Sequence, residues 1–329
     1  MIKKRSGFGV EELERLVNSL DITCLDIGAR GGVVGDLLPI APAVHAIGFE
    51  PDRHECERLN KDASTGKCPW KSIRYIPIAL WSGEEAKLNL YRKRGCSSLL
   101  RANMQFAKEY GRDDYYILED VISLKSARLD DVAIEHSFAK ADYIKIDVQG
   151  AEMEVFESGR NLIQDSVMVI RAEVAFMSLY EGQPLFSDID RYLREKGYSF
   201  IDFCEMHRWR TITKVKHPYL CHGAVPYSKG RLAHADVLYM KNHMLYSDRD
   251  EEGVRKLLNL AMLAMCYEQL DMARAIFERE GVREYLRANY QMGNADAIVG
   301  SYSRYLARRF RRRYVLDSIR AAVKMFFRK

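Results

Sequence analysis

Residues 23–32 read Thr23-Cys24-Leu25-Asp26-Ile27-Gly28-Ala29-Arg30-Gly31-Gly32. A short apolar run reaches an acid and passes at once into a glycine-rich turn, with Gly35 close behind. Such a run fits a buried strand. The glycines let the chain turn tightly at the strand's carboxyl end while a ligand lies against bare backbone. A structural turn and a nucleotide-type ligand site both remain open for this loop. A dinucleotide fingerprint needs G-x-G-x-x-G, and Arg30 breaks that spacing.

Outward from the loop, short apolar runs alternate with helix-patterned segments to about residue 200. The expected strands are Ile22–Ile27, Val44–Glu50, Ile73–Ala79, Tyr143–Val148, Val167–Val174 and Phe200–Cys204. Expected helices cover 52–62, 101–110, 151–163 and 187–197. This alternation predicts an α/β fold: a Rossmann-like, doubly wound, mostly parallel sheet covered on both faces. Leu88–Tyr91 and Tyr116–Val121 read as extra strands between the third and fourth. Ala235–Met240 reads as a final edge strand, pairing antiparallel.

Beyond residue 250 the pattern turns helical. Val254, Leu257, Leu258, Ala261 and Ala264 form one stripe, and 271–280 a second helix, together a packing hairpin. Asn289–Gly300 reads as a flexible connection. Three parts are therefore expected: a sheet domain over 1–245, a helical hairpin over 250–288 and a basic C-terminal helix over 301–329.

The formal charge of +5 conceals an asymmetry. Residues 301–329 hold ten Lys and Arg against Asp317 alone, or +9, which leaves −4 for the rest. If helical, this tail turns Tyr305, Leu306, Phe310, Val315, Ile319, Val323, Phe326 and Phe327 broadly to one side. Such a helix suits an anionic membrane surface. No zinc module or base-stacking motif favours nucleic acid. Seven scattered cysteines without a CxxC pair, and a charged start lacking an apolar signal run, predict reduced thiols in a cytoplasmic protein, peripheral to the membrane's inner face if the tail binds there. No metal-ligand spacing stands out.

Three later strand ends also carry acids. Glu50, in Phe49-Glu50-Pro51-Asp52, lies about twenty residues past the glycine loop, which suits the two hydroxyls of an adenosine ribose. Pro51-Asp52 equally suits a helix start. In Asp142-Tyr143-Ile144-Lys145-Ile146-Asp147, Lys145 and Asp147 share one face of a core strand, costly unless paired or used. Arg171-Ala172-Glu173 closes the apolar run Val167–Ile170. Asp147 and Glu173 should flank one crevice, where either could accept a proton.

These pieces, in this order, resemble the FkbM family of methyltransferases that use S-adenosylmethionine (SAM). The matching stretches are Asp26–Gly32, Phe49-Glu50-Pro51, Ser97-Ser98-Leu99, Arg128-Leu129-Asp130-Asp131, Ile144–Glu152 and Glu173. The resemblance implies a Rossmann-like fold, SAM as methyl donor, and O-methylation of a hydroxyl on a sugar, glycan or secondary metabolite. It assigns the cofactor to Asp26, Gly28, Ala29, Gly31, Glu50, Pro51 and Asp52, with Ala79 and Asp130 bordering the adenine; Arg30 either adds a contact to the SAM carboxylate or faces solvent. It assigns catalysis to Asp147 and Glu173 with Lys145; His207, His222 and His234 are lesser candidates for the base. Arg30 and Gln149 depart from the family, which commonly has Asn and Glu there. An NAD-dependent sugar enzyme and a non-catalytic protein on the same fold are the alternatives.

Overall fold

The computed structural model describes residues 11–65, 68–138, 140–211, 230–304, 306, 307, 315 and 319. Its strands are β1 (Ile22–Ile27), β2 (Val44–Phe49), β3 (Ser72–Ile76), β4 (Ala79–Leu80), β5 (Glu85–Tyr91), β6 (Leu118–Ala127), β7 (Tyr143–Ile146), β8 (Val169–Ala175), β9 (Tyr198–Trp209) and β10 (Arg231–Lys241). Seven of them form one sheet in the order β3-β2-β1-β7-β8-β10-β9. β10 alone runs antiparallel to its neighbours. β1 sends the chain to β2 on one side, while β7 lies on the other, so the strand order reverses at the β1–β7 seam. Ligand crevices in open α/β sheets form at such a point.

The helices are α1 (Glu11–Ser19), α2 (Arg53–Ala63), α3 (Met104–Glu109), α4 (Leu129–Glu135), α5 (Glu152–Ser158), α6 (Arg160–Asp165), α7 (Phe186–Glu195), α8 (Glu251–Cys266), α9 (Leu270–Glu278) and α10 (Glu280–Tyr290). Where a βαβ unit would place an α-helix after β1, this chain has a 3₁₀ segment, Gly35–Ala43, holding Pro39 and Pro42. Proline lacks the N–H that an α-helix needs and crowds the preceding turn. The sheet face so left is covered from the other end of the chain. Every residue of α8 from Leu257 to Met265 is buried, in one cluster with α1, the 3₁₀ segment, α9 and α10. That stretch is apolar on every side except at Asn259, whose amide donates to Asp21 O and Asp142 Oδ1, as such an interior position requires.

Several expectations need correction. β10 is not the edge strand: it inserts between β8 and β9, and β9 takes the edge, running on to Trp209 well past Cys204. β10 is the more buried of the two, which suits the inner position. The third strand stops at Ile76, and Ala79–Leu80 joins β5 and β6 in a separate three-stranded sheet. The segment 151–163 is two helices broken at Gly159, against which Leu129 packs so closely that a side chain there would collide. The expected hairpin is three helices. Residues 289–300 are not a connection, because α10 ends at Tyr290 and helix resumes at 295. Among the described residues no helix is long and apolar enough to cross a membrane. Most of the basic tail, and His222, lie outside the described residues.

Candidate active site

The loop after β1 crosses the loop after β7 in direct contact. Gly28 sits at φ +86°, and a Cβ there would lie 2.0 Å from the Asp147 carbonyl oxygen. Gly28 N and Ala29 N both donate to Phe49 O, at 3.0 and 2.9 Å, which ties the loop to the end of β2. Asp26 is 1% exposed and supports the loop from beneath, its Oδ2 accepting from Val34 N at 2.8 Å. Burial raises its pKa, partly countered by the charge of Lys145.

Lys145 is the cross-strand partner of Asp26. Its Nζ lies 3.7 Å from Asp26 Oδ1 and 3.6 Å from Asp147 Oδ2. Burial works against the charged ammonium, but Asp147 and Asp26 outweigh it, so the lysine stays cationic with its pKa raised. The sheet-closing pair and the ligand-facing residue left open by the sequence are here one side chain, since Lys145 also lines the cavity.

That cavity, about 270 Å³, runs from Gly28 past Glu50 and Pro51 to Ala79, with Leu88, Leu90 and Ser97–Leu99 as its far wall. Glu50 is 4% exposed, and its Oε1 accepts from Asp52 N at 2.9 Å. Burial raises its pKa. Asp52 caps α2 through His54 N and Glu55 N. Arg30 reaches across the loop mouth to Asp52 Oδ2 at 2.8 Å, with its Nε 3.8 Å from Glu50 Oε2. The departure at position 30 is thus a clamp from the glycine loop to the acid-bearing loop after β2.

Of the residues assigned to cofactor and catalysis, Gly28, Arg30, Glu50, Pro51, Ala79, Lys145 and Asp147 line this cavity. Asp26, Ala29, Gly31 and Asp52 support it from behind: Ala29 packs with Cys56, Leu59 and Tyr75, and Gly31 N donates to Glu55 Oε1. Asp130 does not belong to it. Its carboxylate accepts from Asn161 N and Leu162 N at the start of α6, a helix-end role.

A second cavity, about 310 Å³, opens beside the first, and Gly95 and Gln149 line both. Glu173, His207 and His234 line it with Tyr115 and Trp209. Between the cavities the Gln149 amide donates to Asp147 Oδ1 at 2.6 Å and to Glu173 Oε2 at 3.0 Å, and accepts from the Tyr180 hydroxyl at 2.9 Å. Gln149 holds φ +58°, a costly conformation fixed by these bonds and by Ser98 Oγ donating to its carbonyl at 2.7 Å. Glu173 Oε1 lies 2.8 Å from His234 Nδ1. Burial, then the charge of Asp147, pushes the Glu173 carboxyl well up. Asp147, Glu152 and Glu173 bring carboxylate oxygens within 4.8 Å of one another, near enough to share a metal ion. Each nonetheless has protein donors: the Gln149 amide serves two, and Val148 N and Gly150 N serve Glu152.

The cavity wall from the β5–β6 region escaped the sequence reading. Ser97-Ser98-Leu99 were visible only as a matching piece, because short insertion strands carry no periodicity that announces what they cover. In the second cavity Trp209 was visible only within the stretch Met206-His207-Arg208-Trp209, similar to a less uniform family extension, and Lys93, Arg112 and Tyr115 gave no signal, since they meet from separate segments of the chain.

The arrangement suits SAM: a buried acid and a glycine turn lining one cavity, bare backbone at Gly28, and an apolar wall for a purine. Fold and site together define a SAM-dependent methyltransferase of the Rossmann-like class. The family described as the methyltransferase FkbM domain matches residues 26–200, and the chain belongs to that family. It is similar to the 2-O-methyltransferase NoeI of Sinorhizobium fredii (strain NBRC 101917 / NGR234), 26% identical over 189 residues, 54% of this chain and 74% of that protein. Similar solved structures include a methyltransferase FkbM from Methylobacillus flagellatus KT, 12% identical with a TM-score of 0.36, over 68% of this chain and 47% of that one. Another is magnesium protoporphyrin IX methyltransferase (ChlM) from Synechocystis PCC 6803 with bound SAM, 11% identical with a TM-score of 0.34, over 68% and 71%.

Proposed function

We propose that the enzyme O-methylates a hydroxyl of a sugar or glycan, with SAM in the cavity at Gly28 and Glu50 and the acceptor in the cavity at Glu173 and His234. The observation that carries this reading is the junction of the two cavities at Gln149, with Asp147 on the cofactor side and Glu173 on the acceptor side. The ring faces of Tyr115, Trp209 and the stacked pair His207–His234, 4.4 Å apart, suit a sugar's apolar face. The relative named as a 2-O-methyltransferase supports oxygen as the methylated atom.

When bound, SAM supplies a methyl group already activated on a sulfonium. The chain's own task is alignment, exclusion of water and removal of one proton. Glu50 holds the ribose and the Gly28 backbone admits the rest of the cofactor. Glu173 takes the hydroxyl proton; a carboxylate with raised proton affinity is the better base once ionised. Asp147, set between Lys145 and the Gln149 amide, keeps a fixed negative charge on the cofactor side of the junction. Transfer of label from methyl-labelled SAM to a glycan panel tests this reading. Labelling of a sugar hydroxyl is expected; SAH binding without labelling or binding of any glycan would overturn it.

The basic tail is proposed to hold the enzyme against an anionic membrane at the inner face, where lipid-linked glycans would be met. Val315 and Ile319, four residues apart in the sequence, are 48% and 53% exposed, which supports apolar side chains open to a surface. Co-sedimentation with anionic liposomes should favour the full chain over one ending at Gly300; equal binding would sink the proposal.

A further inference from the structure

The second cavity has an acidic floor, Glu173 with Asp147 behind it, and a basic rim. At the rim, Lys93 Nζ lies 4.3 Å from the centroid of the Tyr115 ring. The Arg112 guanidinium lies 5.1 Å from the same ring and 5.4 Å from that of Trp209. Two cations therefore share one aromatic side chain. Neighbouring Arg94 is held by Glu119 at 3.1 Å, but among the described residues neither Lys93 nor Arg112 has a carboxylate within ion-pair distance. Like charges gathered at a cavity mouth repel unless an anion comes between them.

Both cations stand on fixed backbone. Lys93 N donates to Tyr115 O at 3.2 Å, and Cys96 N closes a turn on Lys93 O at 2.8 Å. Arg112 N donates to Ala107 O at 2.7 Å, and its Nη1 donates to the Tyr115 hydroxyl at 2.7 Å. That bond and the two ring faces orient the guanidinium and leave most of its five N–H donors uncommitted. Lys93 also bears electrostatically on Cys96 and His234, so its charge reaches into the cavity rather than only into solvent.

We infer that Lys93 and Arg112 form an anion subsite, and that the acceptor is an acidic sugar carrying a carboxylate or phosphate on the side opposite the hydroxyl to be methylated. The inference rests on the proposal that this cavity takes the acceptor. A cavity of about 310 Å³ is at the small end of ligand sites, ~300–1,000 Å³, and suits one ring rather than an extended chain. With acids at the floor and cations at the rim, a ring bearing one anionic group enters in one orientation only. The anion is held by Lys93 and Arg112 and kept away from the Asp147 carboxylate, which turns the opposite hydroxyl toward Glu173. Arginine provides the planar fork and lysine the point charge.

The test is calorimetric titration of the SAH-loaded, full-length protein with methyl glucoside, glucuronate and glucose 6-phosphate, repeated on Lys93→Gln and Arg112→Gln. SAH affinity and unfolding temperature of each variant report on folding. The two anionic sugars should bind at least about tenfold more tightly than the neutral one, a difference of about 1.4 kcal/mol. Each substitution should shrink that ratio severalfold, and raised ionic strength should do the same. Tighter binding of one anionic sugar alone identifies which anion the subsite takes. Equal affinity for all three overturns the anion subsite and leaves the acceptor cavity standing; so does a preference that both substitutions leave intact. Failure of all three to bind, with SAH bound normally, overturns the acceptor cavity itself and this inference with it.

Discussion

A Cβ placed on Gly28 would stand 2.0 Å from the carbonyl oxygen of Asp147. The loop after β1 and the loop after β7 therefore set each other's position. Gly28→Ala meets that collision at a backbone oxygen, which cannot rotate away, and also the left-handed φ of +86°. The strain of the φ, ~1–2 kcal/mol, and overpacking of ~1–3 kcal/mol should add to a clear fall in unfolding temperature. SAH affinity should fall with it. A variant with parental stability and SAH binding would show that the two loops are not in contact.

Glu50 is buried beside the cofactor cavity with one oxygen taken by Asp52 N. Glu50→Gln keeps the shape and removes the charge. A charge-assisted hydrogen bond is worth ~1.5–3 kcal/mol, so the Kd for SAH should rise roughly 10- to 100-fold. Saturating SAM should recover most of kcat, because the ribose is held equally before and during transfer. A fall in kcat with unchanged affinity would remove Glu50 from the ribose.

Asp147 makes the opposite split. Asp147→Asn keeps a polar group toward Gln149 but loses the fixed negative charge next to Lys145. SAH should still bind, while kcat falls by ~10²–10⁴, the usual range for a group acting in proton transfer or its electrostatics. Equal losses in SAH binding and turnover would make Asp147 a cofactor ligand only.

Burial, with the charge of Glu173 added, pushes the Glu152 carboxyl up to about 8. The unfolded value is near 4.5, so the folded state binds the proton more tightly. Its contribution to stability is complete below pH ~4.5 and is lost as pH rises toward 8. Glu152→Gln cannot ionise, and its side-chain oxygen can still accept from Val148 N and Gly150 N. The variant should match the parent near pH 5 and exceed it in unfolding temperature near pH 8. A constant difference at both values would show that Glu152 does not titrate in this window.

The glycine loop, Glu50, Asp147 and Glu173 were legible because parallel strands bury both faces, so an acid at the end of an apolar run stands out. The sheet order was less legible: whether β9 or β10 takes the edge depends on relative burial, and both read as short alternating strands. The covering of the sheet by α8 was hidden for a different reason. Pro39 and Pro42 declare that an α-helix is missing after β1, but nothing local says that residues 251–266 fill its place. Gln149 looked like a lost acid; only the three-dimensional meeting of Asp147, Glu173 and Tyr180 shows an amide serving two carboxylates at once. Asp130 misled because a first-turn acid serves a helix end as well as a ligand.

Lys145 lies between Asp26 and Asp147, each about 3.7 Å or less from its ammonium. Asp26 Oδ1 has no hydrogen-bond partner among the described residues, so this ammonium is the counter-charge on that side. Lys145→Met fills similar volume but leaves the buried Asp26 carboxylate without its counter-charge and with the part-exposed Asp147 carboxylate nearby. Removing one partner from a buried pair costs ~3–5 kcal/mol, and the loss should depend on pH in a definite direction. Asp26 is already raised by burial, and without the lysine it rises further above its unfolded value of 3.8. Its protonated form is the stable one, so the variant's deficit should be small near pH 4–5 and grow as pH climbs to 8. Adding Asp26→Asn removes the buried charge and supplies a donor. The double variant should regain most of the stability lost at pH 8, although not the activity, since Asp147 is still uncompensated. Denaturant unfolding at both pH values decides this: a Lys145→Met deficit that is the same at pH 5 and pH 8, or one that Asp26→Asn fails to relieve, would show that packing rather than charge makes the lysine necessary.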